Sequence, residues 1–372
     1  MHTIHRRRFA FQLAGLTLAV AASLPAFAHP DDSSLRSGKV FTSSNATGGN
    51  ELLVFAPTRS GELTLVTHVA TNGQGTGAGL GSQGAVALSG DGRHAFVVNA
   101  ASNTLSTFAL RGNDAVLSSV VDSGGTTPIS VTENDGIVYV LNAGGSGNVA
   151  GFRHLNGELR PLRDGTRGLS AAGGTAPAQV GFGADGEVLV VTEKATSRIT
   201  SFNVRRDGTL GTAIVTPSSG TTPFGFAFDR RDHLIVSEAV ASAASSYRFD
   251  ERGPATPNLL SASVPNTQAA ACWVAVTPDG RFAYTANAGS SSLSSYRIAR
   301  SGKIELADAV AGSTGTNAGA LDLAVAPHGR ELFAIASRSL QIVSFRIAYD
   351  GSLTTLGAAT GLPAGFAGLA AN

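Results

Sequence analysis

The 372-residue chain contains one cysteine, so no disulfide can form within it. Cys272 lies in Ala269-Ala270-Ala271-Cys272-Trp273-Val274, with no base beside it, and reads as a buried, inert thiol. Charge is also scarce. Only 14% of residues are Asp, Glu, Lys or Arg, and the 27 basic residues form no run or patch. Phosphate contacts need clustered cations, so nucleic acid is excluded as a partner. After the N-terminal region, no apolar run is long enough for a transmembrane helix. There is no Gly-x-Ser-x-Gly elbow, no phosphate loop ending in Gly-Lys-Ser/Thr, and no His-Glu-x-x-His.

The first 28 residues read as an address. Arg6-Arg7-Arg8 precedes an apolar stretch from Phe9 to Leu24, and Ala26-Phe27-Ala28 is a small-x-small cleavage site before His29. The expected product is secreted or periplasmic. Arg6-Arg7-Arg8-Phe9 also fits the core of a twin-arginine signal, and that route and the general one both stay open. Removing the segment leaves 24 Lys+Arg against 26 Asp+Glu, a net charge of −2. Residues 29–39 then read as a linker and 40–372 as the folded domain.

What is abundant is repetition. Val276-Thr277-Pro278-Asp279-Gly280-Arg281-Phe282-Ala283-Tyr284-Thr285-Ala286-Asn287 echoes Leu88-Ser89-Gly90-Asp91-Gly92-Arg93-His94-Ala95-Phe96-Val97-Val98-Asn99. Further copies centre on Asp135-Gly136, Asp185-Gly186, Asp232-His233 and His328-Gly329, at the spacing of four-stranded propeller blades. Each copy divides into strands A to D with Gly-containing hairpins after A and C. Residues 40–69 supply strands B, C and D of one further blade but no strand A. The C-terminal Gly365 to Leu369 resembles the strand A opening at Pro223, so the tail is expected to complete that blade and close a seven-bladed, all-β ring.

These phrases resemble the lactonase-type β-propellers, a family that includes 6-phosphogluconolactonase and carboxymuconate-lactonizing enzymes. A secreted subgroup is similar through Gly79-Leu80-Gly81-Ser82-Gln83-Gly84, Val191-Thr192-Glu193-Lys194 and Ala271-Cys272-Trp273-Val274. The resemblance implies a lactone hydrolase. It also implies a Gly-Pro-Arg-His phrase opening a middle strand A and an Asn-Glu pair ending the neighbouring strand B. Here the first reads Ala176-Pro177-Ala178-Gln179 and the second Thr192-Glu193. The arginine that would hold a substrate carboxylate or phosphate, and the histidine that would move a proton, are missing.

Blade comparison singles out two acids. Counting Asn99, Asn142, Thr192, Ser237 and Asn287 as the ends of strand B makes the next residues Ala100, Ala143, Glu193, Glu238 and Ala288. Glu193 and Glu238 then replace alanine at one mouth of the ring, with Gln179 opposite Glu193 and Gly225 opposite Glu238. Two converging carboxylates can divide acid and base roles or bind a cation. The alternative is a salt bridge for each, for instance with Lys194 or Arg198. Gln179, Thr192, Lys194, Arg198 and Trp273 are the expected ligand wall, although Trp273 equally reads as a core aromatic. His94, His233 and His328 fall on the opposite face, so no zinc site is expected, and no cofactor. Two functions remain: a hydrolase of a small lactone, or a non-catalytic propeller binding a protein, glycan or small ligand on that face.

Overall fold

A computed structural model describes residues 38–250 and 253–372. The leader expected over 1–28 and most of the linker lie outside the described residues. Among the described residues, 28 strands form seven four-stranded antiparallel sheets. These are blades 1 to 7. Blade 1 combines residues 40–70 with the C-terminal strand Ala367–Ala371, which supplies its strand A. Blades 2 to 7 span 86–122, 128–168, 177–217, 223–265, 271–313 and 320–360. The ring is therefore closed by the tail. No described helix is long and apolar enough to cross a membrane.

The repeated phrase is a turn with its own caps. Thr277 Oγ1 donates to Asp279 Oδ1 at 2.6 Å, and Arg281 N donates to the same oxygen at 3.0 Å. Ser89, Asp91 and Arg93 repeat the arrangement. Blade 5 lacks the glycine, and Asp232 takes the left-handed conformation instead, at φ +64°. The tyrosine of the phrase joins one blade to the next. Tyr139 Oη donates to Gly208 O at 2.7 Å, and Tyr284 Oη to Gly351 O at 2.8 Å. Those glycines begin the turn into strand D of the following blade. A Cβ on Gly351 would come within 2.3 Å of the Phe282 ring, so the tyrosine and the second-hairpin glycine are two halves of one interblade contact.

Strand A bends where it meets the axis. Register shifts interrupt the A–B pairing between Pro128 and Ser130, Pro177 and Gln179, Pro223 and Phe226, Ala271 and Trp273, and Ala320 and Leu323. These bulges aim one side chain per blade toward the axis.

Candidate functional site

The axis is bridged by the chain itself. Segment 79–84, on its way from blade 1 to blade 2, enters the mouth where the A strands begin. Ser82 Oγ donates to Ile129 O of blade 3 at 2.8 Å, and Gln83 N to Ala178 O of blade 4 at 3.1 Å. Trp273 Nε1 of blade 6 donates to Ser82 O at 2.9 Å. Gly84 N faces Asp322 Oδ2 of blade 7 at 3.4 Å, and Lys194 Nζ donates to Gly81 O at 2.5 Å. This glycine-rich segment thus ties four inner strands and one mouth loop together. Gly81 and Gly84 have φ of +59° and +80°, which lets so short a segment turn inside the ring.

The bulge residues form clasps between successive inner strands. Ser130 Oγ accepts Val180 N at 3.2 Å. Gln179 Oε1 accepts Phe226 N at 2.7 Å, while its Nε2 donates to Phe226 O at 3.0 Å. Blade 5 has Gly225 at this place and no side chain to continue the series. Gln83 from the axial segment takes over, accepting Val274 N at 3.0 Å and donating to Val274 O at 2.7 Å. The substitution is steric as well as chemical, since a Cβ on Gly225 would lie 2.1 Å from Gln83 Oε1. Gln179 therefore does not face a ligand, because both ends of its amide are committed to blade 5. Thr192 is likewise engaged, its hydroxyl donating to Phe224 O.

The two glutamates require a change of register. Strand B of blade 4 is Val188–Glu193 and that of blade 5 is His233–Glu238, each one residue longer than Thr192 and Ser237 indicate. Glu193 pairs with Arg198, and Glu238 with Ala243, as Asn99 pairs with Thr104 and Asn287 with Ser292. The glutamates thus replace asparagine, not alanine, and a one-residue slip moves a side chain to the other face of the sheet. The bulges displace the opposite residues too: Pro177 lies across from Glu193 and Pro223 across from Glu238.

The replaced asparagines explain what the glutamates do. Asn287 donates to Ser292 and Ser294 and accepts from Asn266. A carboxylate only accepts, and its neighbours have changed accordingly. Glu193 receives Ser170 N at 3.0 Å, Thr200 Oγ1 at 2.6 Å, Thr196 Oγ1 at 2.9 Å and the Ser170 hydroxyl. Glu238 receives Gly220 N at 2.7 Å and the Ser263 hydroxyl. Both side chains are fully buried. Glu193 lies on the face of its strand that packs on blade 3, and Glu238 on the face that packs on blade 4. They share no hydrogen-bond partner. Among the described residues neither forms an ion pair, and no group of three or more His, Cys, Asp or Glu is arranged to hold a metal. Lys194 turns to the axial segment, and its ammonium lies 4.8 Å from the centre of the Phe224 ring. Burial holds the Lys194 pKa below the usual lysine value. Arg198 is half-buried at the head of strand C.

Beside the axial segment is a cavity of about 240 Å³, lined chiefly by Leu80, Trp273, Leu321, Asp322, Ile335 and Phe366. Its wall is mainly apolar. Trp273 is both wall and core, because its ring also packs on Phe224 with centroids 4.8 Å apart. Burial pushes the nearby Cys272 thiol up to about 12, which leaves it protonated and inert. A larger cleft of about 510 Å³ lies on the opposite face between blades 4 and 5. Its acids are already turn caps: Asp185 accepts Glu187 N, and Asp232 accepts Ala184 N.

Asp322 is the one ionisable residue lining the mouth cavity. Burial raises its pKa to about 7, against hydrogen bonds from the backbone N–H groups of Gly84, Leu323 and Leu369 that pull it down. The folded protein therefore holds a proton here that the unfolded chain, titrating near 3.8, releases. Stability should fall as pH rises from about 4 to about 7 and level off above. The loss should be a few kcal/mol, since each tenfold difference in proton affinity between the folded and unfolded states is worth roughly 1.4 kcal/mol. Asp91 and Asp350 move the opposite way through their turn hydrogen bonds, so their contributions are lost only at lower pH. Urea unfolding across pH 4–8 checks this, with Asp322→Asn as the control that should flatten the curve.

The family model described as a seven-bladed lactonase β-propeller matches residues 131–266 and 254–367, more than half of the chain. The chain belongs to the lactonase β-propeller family. No curated protein matches it in sequence. Solved structures share the fold at low identity. A Bacteroides fragilis protein with the provisional name 6-phosphogluconolactonase has a TM-score of 0.71 at 17% identity, over 90% of this chain and 98% of its own. The periplasmic gluconolactonase of Pseudomonas aeruginosa gives 0.69 at 15%, over 89% and 98%. Virginiamycin B lyase of Staphylococcus aureus gives 0.53 at 14%, over 74% and 84%.

Within this lactonase propeller, two residues that define the mouth escape a reading of the sequence. Asp322 has a signal, an acid inside the otherwise apolar strand Ala320–Val325. Gln83 has none, because its partner Val274 is 191 residues away.

Proposed function

We propose that this lactonase-family propeller hydrolyses a small, uncharged lactone in the cavity beside Trp273. The observation that carries the reading is the lining of that cavity: apolar side chains, one tryptophan face and one carboxylate, at the mouth where the A strands begin. Apolar walls with few placed polar groups are the usual construction of a small-ligand site. No arginine or lysine lines it, which disfavours a phosphorylated or carboxylated ring and favours a neutral, alkyl-bearing one. The missing Arg-His phrase points the same way. Glu193 and Glu238 enter this reading as supports that anchor the crossover before blade 4 and the crossover before blade 5.

A pH-stat panel of alkyl γ- and δ-lactones, aldonolactones and 6-phosphogluconolactone tests the reading. Neutral alkyl lactones should be hydrolysed fastest and the phosphorylated ring slowest. Glu193→Gln should retain kcat in the folded protein while lowering stability by about 1–3 kcal/mol, because its amide would turn donors against donors. A loss of kcat of two or more orders of magnitude at unchanged Tm would return the catalytic role to Glu193. The second reading, a binder without turnover, is favoured by the axial segment that holds the mouth closed to through-passage. Its signature is saturable binding of a lactone that is released unhydrolysed.

A further inference from the structure

We infer that Asp322 is the general base that takes a proton from the attacking water in this cavity. The inference rests on the proposed lactone hydrolysis and assigns it a residue. Asp322 lies on strand A of blade 7, in the bulge between Ala320 and Leu323. It is 3% exposed and still lines the cavity. Its two oxygens offer about four acceptor positions. Leu323 N takes one at 2.9 Å, Gly84 N approaches another at 3.4 Å, and Leu369 N supplies a third. One position remains for a water on the cavity side.

The choice of residue is what points to chemistry. At the same place in the other blades the bulge side chain is neutral: Ser130, Gln179, Gly225 and Trp273. Clasping the next strand needs only an amide or hydroxyl, as Gln179 and Ser130 demonstrate. A carboxylate buried with no cation partner is expensive for a purely structural post. Among the described residues Asp322 forms no ion pair. Burial of this kind poises a carboxylate near neutral pH, where it can accept and return a proton within one cycle.

The step balances with water as the only co-reactant. Asp322 removes a proton from water as the water oxygen forms a bond to the lactone carbonyl carbon. The tetrahedral adduct collapses, the ring C–O bond breaks, and the leaving alkoxide takes the proton back from Asp322. The product is the open hydroxy acid. Trp273, Leu80 and Phe366 surround the reacting ring and exclude bulk water.

The experiment uses the full protein and the fastest lactone of the panel. Asp322→Asn should lower kcat by about two to four orders of magnitude. In the unmodified protein kcat/KM should fall as pH drops through about 7. If Asp322→Asn does not fold, the wild-type pH profile decides alone: a limb near neutrality supports the assignment and a flat profile between pH 5 and about 8 overturns it. A folded Asp322→Asn with undiminished kcat also overturns it, while leaving lactone hydrolysis standing. No turnover of any lactone by the wild-type protein defeats the proposed function, and the assignment with it.

Discussion

Deletion of residues 363–372 should lower stability by about 5 kcal/mol or more and leave an aggregation-prone ring. The tail supplies the inner strand of blade 1, pairing Val40 with Ala371 and Phe41 with Ala370. Thr42 Oγ1 donates to Gly368 O at 2.6 Å, and Lys39 N donates to Asn372 Oδ1 at 2.8 Å. Phe366 and Leu369, at 3% and 5% exposure, belong to the core shared by blades 1 and 7. Burying each contributes about 1.5–3 kcal/mol, and removing the strand also frees an inner edge for unwanted pairing. That sum is a large share of the 5–15 kcal/mol or so that holds a typical domain together. Urea titration and size-exclusion chromatography of the truncated protein measure both effects. A truncated chain with the wild-type midpoint would show that the ring does not depend on this closure.

Gln83→Ala should be the most damaging single change at the mouth, at about 2–4 kcal/mol. It strips the partners from both Val274 N and Val274 O, and an unpaired buried polar group loses about 1–3 kcal/mol. Gly225→Ala should be damaging for the complementary reason. Its Cβ would meet Gln83 Oε1 at 2.1 Å and Cys272 O at 2.8 Å. The two changes should not add. With Gln83 shortened, the nearer clash is gone and only the carbonyl contact remains, so the double variant should lose less than the sum by about 0.5–3 kcal/mol. A double-mutant cycle in urea reads this coupling directly. Additivity within about 0.5 kcal/mol would mean that Gln83 and Gly225 are not one device.

The mouth shows why local pattern fails where it does. Glu193 and Glu238 are visible as acids at strand ends, and their uniqueness among the blades is real. Their meaning turns on a register of one residue, set by bulges at Pro177–Gln179 and Pro223–Phe226 that no turn residue announces. Gln179 and Thr192 do stand at the mouth, yet their polar atoms are spent on Phe226 and Phe224 of the adjoining blade. Trp273 reads as either wall or core, and it serves as both.

The sequence by itself determined the number of blades, the hairpins and the closure by the tail. Those features rest on short-range chemistry: Asp-Gly turns, alternation with period two and a repeat that spells each strand again. Only the tertiary structure decided what stands at the axis. Strands from opposite ends of the chain are brought side by side, as Val40 and Ala371 are. Which side chains meet at the mouth depends on bulge placement and on the axial segment 79–84, whose partners are spread over four blades. A carboxylate such as Asp322 acquires its character from that convergence, since the burial that raises its pKa is contributed by strands that are distant in the chain.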